Sequence, residues 1–157
     1  LLQEKFYEAR PQISPNGRWM AYESSESMGQ SEVYVRPFPE GKGKWQVTTS
    51  GGSDPLWSRD GRELFYRVGD SIVAVDVQTT EPTFKAGKHK PLFRGAYSRM
   101  GHGWDLSPDG KRFLMIKPSG VPAGESTAEK TATAPPRPKI NIVLNWFEEL
   151  RQRVPVK

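Results

Sequence analysis

His89 and His102 are the only imidazoles in a chain of 157 residues that contains no cysteine. Two histidines cannot build a many-imidazole metal centre within one chain, and the lack of thiols removes disulfides and thiolate ligation. Gly51-Gly52-Ser53-Asp54-Pro55 begins like a G-x-S-x-G nucleophile elbow. It closes on proline and runs into a strand pattern, whereas the elbow requires a helix after the serine, so it reads as a loop. No Gly-rich phosphate loop, zinc-protease helix or calcium loop is present. The expectation is a chain with no catalytic residues, no metal site and no cofactor.

The stronger signal is structural. A short phrase recurs as Ser14-Pro15-Asn16-Gly17-Arg18, Ser58-Arg59-Asp60-Gly61-Arg62 and Ser107-Pro108-Asp109-Gly110-Lys111, with its glycines 44 and 49 residues apart. That spacing is in or near the roughly 40–50 residue period of propeller blades. After each glycine the chain alternates in the same phase, with Met20, Leu64 or Phe113 at the third position and Tyr22, Tyr66 or Met115 at the fifth. A period of two suits a pleated strand. Ile13, Trp57 and Leu106 share one position before the turn, and Pro11 and Pro55 share another. Asn16-Gly17, Asp60-Gly61 and Asp109-Gly110 therefore read as structural turns, with glycine admitting the left-handed backbone.

These residues resemble a known family. The Ser-Pro-Asn-Gly-Arg phrase followed by Trp19-Met20-Ala21-Tyr22 is similar to the WD40-like β-propeller repeat of the TolB type, which also occurs in some peptidases. Glu32-Val33-Tyr34-Val35-Arg36-Pro37-Phe38-Pro39, Asp60 to Tyr66 and Asn145 to Leu150 most resemble propeller segments linked to bacterial serine/threonine kinases. The resemblance implies an all-β propeller of four-stranded antiparallel blades, a binding or scaffold role, and a periplasmic or otherwise extracytoplasmic address. Gly101-His102 and Trp104-Asp105 also contain the two dipeptides of WD40 repeats, but those pairs lie far apart in a true repeat, so coincidence explains them.

The chain then divides into three blades, at 9–49, 53–95 and 102–146. The expected strands of the first blade are near 10–14, 18–24, 31–37 and 44–48. In the second blade, strands near 54–58 and 62–67 precede Ser71 to Val77, and the fourth spans Lys90 to Arg94 after a loop containing Pro82 and Gly87. Residues 118–138 are rich in Pro, Ala, Thr, Ser and Gly and read as a mobile insertion. Lys139 to Leu144 resumes as a third strand of the last blade. A short helix over 146–153 follows, capped by Asn145 with Glu148 in the reciprocating position.

Residues 1–7 are expected to be an outer strand that completes another blade. Three blades fall short of the four to eight of a closed propeller. Two readings follow: a homodimer whose chains exchange Leu1 to Tyr7 to make a six-bladed ring, or an open half-ring cut from a larger propeller. The chain starts at Leu1 without Met, and the expectation is a piece of a longer precursor. By topology, Arg10, Trp57, Arg59, His102 and Asp105 flank inner strands and are candidate channel-lining, ligand-binding residues.

Charge and size narrow the classes further. A chain of this length can bury about two-thirds of its unfolded surface. No stretch approaches the roughly 20 apolar residues needed to span a bilayer as a helix. The net charge is +5, of which +3 lies in residues 137–157. That tail reads as a solvated terminus, and nucleic acid is not an expected partner because no basic face is interleaved with exposed aromatics. The expected function is a noncatalytic module that binds a protein, peptide or small ligand. The alternatives are a hydrolase or lyase with its site at the propeller channel, and a peptidase accessory domain.

Overall fold

The computed structural model describes residues 5–27, 29–40, 42–80, 83–100 and 103–117, and the backbone of 139–142. The chain divides into two compact units, Leu1–Gly95 and Ala96–Lys157. The first unit holds two four-stranded antiparallel sheets. One runs β1 (Glu8–Ile13), β2 (Trp19–Ser27), β3 (Gln30–Pro37), β4 (Trp45–Gln46); the other runs β5 (Ser53–Trp57), β6 (Glu63–Val68), β7 (Ser71–Thr80), β8 (Thr83–Arg94). In the second unit β10 (Phe113–Lys117) lies between β9 (Trp104–Leu106) and β11 (Lys139–Ile142). There is no helix among the described residues.

The recurring phrase builds the same hairpin turn each time, and its serine is the hub. Ser58 N–H donates to the Glu63 carbonyl at 2.9 Å, and Gly61 N–H donates to the Ser58 carbonyl at 3.0 Å. The Ser58 hydroxyl accepts the Glu63 N–H at 2.9 Å and donates to Asp60 Oδ1 at 2.7 Å, which in turn accepts Arg62 N–H at 3.1 Å. Ser14 with Asn16, and Ser107 with Asp109, repeat this set. Within each turn the left-handed residue is the glycine alone, with φ of 73°, 71° and 70° at Gly17, Gly61 and Gly110. The Asn or Asp contributes as an acceptor that closes an Asx turn.

Alternation along the strands gives the first unit its core. Trp19, Ala21, Val33 and Val35 on one sheet pack against Leu64, Tyr66, Val73 and Val75 on the other. Trp19, Trp45 and Phe84 close this layer with ring centroids 5.6–6.3 Å apart. The opposite face of the first sheet presents Met20, Tyr22 and Tyr34, also buried. In the second unit Trp104, Leu106, Phe113 and Met115 are buried, and the Trp104 and Phe113 rings stack. Gly103 is required there by close approach, since a Cβ would stand 2.5 Å from the Ser98 carbonyl oxygen.

One expectation is corrected. The segment around Gly87 is strand, not loop: β7 continues to Thr80, and β8 begins at Thr83. Phe84 enters the core, and Gly87 lies close against Asp76 at a bulge, where a Cβ would meet the Asp76 carbonyl at 3.1 Å. Of the outer strand expected over 1–7, only 5–7 lie among the described residues, and they carry no strand within this chain. Tyr7 instead exchanges two hydrogen bonds with Ser25, lengthening the β1–β2 hairpin. Residues 1–4, the insertion 118–138 and the helix expected over 146–153 lie outside the described residues, and the third sheet has three described strands.

Candidate functional site

Edge strands β1 and β5 each carry a bulge at the same repeat position. Ala9 pairs with Glu23 and Gln12 with Ala21, so Arg10 and Pro11 face a single residue; Ser53 pairs with Arg67 and Leu56 with Phe65, so Asp54 and Pro55 do likewise. Proline has no N–H to strand in such a gap. The residue before each proline takes positive φ, 54° at Arg10 and 52° at Asp54. Arg10 Nη1 meets Asp54 Oδ1 at 2.7 Å, and its Nε lies 3.8 Å from Glu23 Oε1. Glu23 Oε2 accepts the Asp54 backbone N–H at 3.1 Å. The three charges thus join the two sheets and are engaged with one another.

Glu32 is a third buried carboxylate with a structural task. It accepts the Thr48 hydroxyl and the Gly51 N–H, the latter at 2.8 Å, while Thr48 Oγ1 accepts the Val33 N–H at 2.9 Å. These bonds hold the crossing from the first sheet to the second. Sequence reasoning missed this residue; its signal is an acid inside the apolar strand Glu32-Val33-Tyr34-Val35.

The predicted ligand-binding residues are placed as follows. Arg10 belongs to the ion-paired seam, and Trp57 is buried beside it, its indole N–H donating to the Gln12 carbonyl at 3.1 Å. Arg59 is exposed in the turn after β5. Asp105 is exposed on β9 in the second unit, where its Oδ1 accepts the Leu106 N–H. His102 lies outside the described residues. Arg10 and Trp57 are therefore brought together at the β1–β5 seam.

A different place offers a concave surface. A hollow of about 400 Å³ on the second sheet is lined by Glu63, Ala74, Asp76, Lys88, His89, Lys90 and Pro91. Glu63 and Asp76 are directly paired across β6 and β7, and Ala74 is paired with Lys90 across β7 and β8. The small Ala74 side chain leaves the depression between them. Burial raises the Glu63 carboxyl above its ordinary value, with the Asp76 charge acting in the same direction. His89 pairs with Val75, so its ring turns to the face opposite Lys90, where its Nδ1 and the Tyr66 hydroxyl form a 2.8 Å hydrogen bond. Sequence reasoning missed the hollow because it assigned the segment before Lys90 to a loop.

The chain is similar to a putative 6-phosphogluconolactonase from Bacteroides uniformis, with 19% identity and a TM-score of 0.50 over 74% of this chain. It also matches TolB from Acinetobacter baumannii, with 17% identity and a TM-score of 0.41 over 90% of this chain. It spans 35% and 42% of the lengths of those two proteins. No family model matches the sequence, and no curated protein matches it. Taken with the antiparallel four-stranded sheets, the first likeness supports an all-β, propeller-like fold.

Proposed function

We propose that the chain is a noncatalytic binding module whose ligand or partner sits in the hollow over β6, β7 and β8. The observation that carries this reading is the contrast between two sets of charges. Arg10, Glu23 and Asp54 are engaged with one another and tie sheets together, whereas no ion pair among the described residues joins Glu63, Asp76, Lys88 and Lys90 to one another. A hollow of about 400 Å³ lies in the lower part of the range of ligand pockets. Its floor is a four-stranded sheet, a rigid support that lowers the ordering cost of binding.

The homodimeric six-bladed ring and the extracytoplasmic address belong to this proposal as its assembly and setting. The test is a thermal-shift screen of peptides, sugar acids and small zwitterions against the wild type and the exposed-site reversals D76K and K90E. A ligand whose stabilisation is lost in both variants supports the reading. Stabilisation unchanged by either reversal, or turnover of an ester, peptide or lactone, overturns it.

A further inference from the structure

The hollow separates its charges in a way that selects a ligand class. Its row at the β6–β7 boundary is acidic, Glu63 opposite Asp76, and its β8 side is basic, with Lys88 and Lys90 flanking His89. Like charges set directly across a strand pair disfavour each other, and nothing in the packing of the first unit requires this one. Burial and the neighbouring Asp76 charge both raise the Glu63 carboxyl, and a cation placed between the two acids would relieve that repulsion. His89 pairs with Val75 and its Nδ1 meets the Tyr66 hydroxyl, so its ring lies on the other face of the sheet and leaves the basic side to Lys88 and Lys90.

We propose that the hollow docks an extended peptide segment carrying a basic and an acidic side chain two residues apart. The basic group sits between Glu63 and Asp76, and the acidic group lies against Lys88 and Lys90. This rests on the binding reading above and names its ligand. The spacing supports it: the midline between β6 and β7 lies one and a half strand separations from β8, about 7 Å, and residues i and i+2 of an extended chain are about 6.7 Å apart. Charge complementarity chooses a mixed-charge segment over a uniformly basic or acidic one, because either would leave one wall facing its own sign. Strand addition along β8 is a poorer mode, since Pro91 lacks an N–H and bulges interrupt its ladder.

The test is titration of the whole chain with four fluorescent five-residue peptides: Thr-Lys-Thr-Glu-Thr, its Lys-only and Glu-only forms, and Thr-Thr-Thr-Thr-Thr. The expected result is that the mixed peptide binds at least about tenfold tighter than each of the others, a preference that shrinks as salt rises. In E63Q/D76N the mixed peptide should bind no better than the Glu-only form, and in K88A/K90A no better than the Lys-only form. Equal binding of mixed and single-charge peptides, or a free lysine–glutamate mixture competing as well as the peptide, overturns the proposal. If none of the four binds while another ligand stabilises the chain in a manner lost in D76K and K90E, the peptide inference fails and the binding reading stands. Thermal melts of each variant separate lost affinity from lost folding.

Discussion

Arg10 and Asp54 stand at the same bulge in successive repeats and are ion-paired to each other, Nη1 to Oδ1 at 2.7 Å. Each holds a backbone conformation that few side chains adopt, and their opposite charges link neighbouring sheets through that strain. Removing the guanidinium leaves two carboxylates that are each 8% exposed facing one another. R10A is expected to cost roughly 2 kcal/mol, below the range for a fully buried pair because Arg10 keeps partial exposure. D54N, which tolerates positive φ, should recover part of that loss in the double variant. Urea unfolding of the four proteins measures the coupling, and additive single effects would refute it.

The buried turn serine Ser58 should matter more to stability than the half-buried Ser107. Ser58 is buried, accepts the Glu63 N–H and donates to Asp60, so S58A strands a donor in the turn. A loss of about 1–2 kcal/mol is expected. Ser107 makes the same bonds at a more exposed site, and S107A should lose less. Chemical denaturation midpoints give the order; a larger loss in S107A would contradict it.

Acid should loosen the turns from their carboxylates. The Ser58 hydroxyl, then the Arg62 N–H, hold Asp60 below its ordinary value of 3.8; Ser107 and the Lys111 N–H do the same for Asp109. A depressed folded value means the unfolded chain binds more protons in that window. Stability is then complete above about pH 4 and drains as pH falls through the lower folded values. The D60N/D109N variant should show a shallower acid limb, with the first turn, which already has Asn16, as internal precedent. Melting temperatures between pH 2 and pH 6 decide it, and parallel curves would exclude the effect.

Glu63 should behave in the opposite sense. Its folded value is raised, first by burial and then by Asp76, so the folded chain binds the extra proton and stability falls as pH rises through that window. E63Q is expected to raise stability at pH 7 by about 0.5 kcal/mol, the scale of a cross-strand like-charge pair after solvent screening. The gain should shrink as pH falls and Glu63 takes up its proton. Melts at pH 7 and in acid test it; destabilisation at pH 7 would show that Glu63 has a structural partner.

The residue types and their period by themselves determined the all-β class, the three hairpin turns and the alternation that makes the core, because those depend on neighbours within a few positions. Ser14, Asn16 and Gly17 close a turn from their own side chains, and Trp19 to Tyr22 alternate whatever lies beyond them. The tertiary structure decided what the charged groups do. Arg10 meets Asp54 across 44 positions of sequence, and Glu32 reaches Thr48 and Gly51 across a crossing between sheets. Gly87 and Lys88 looked like loop chemistry. They became a strand wall once Phe84 was drawn into the core shared by two sheets, because burying an aromatic ring outweighs the weak strand preference of glycine.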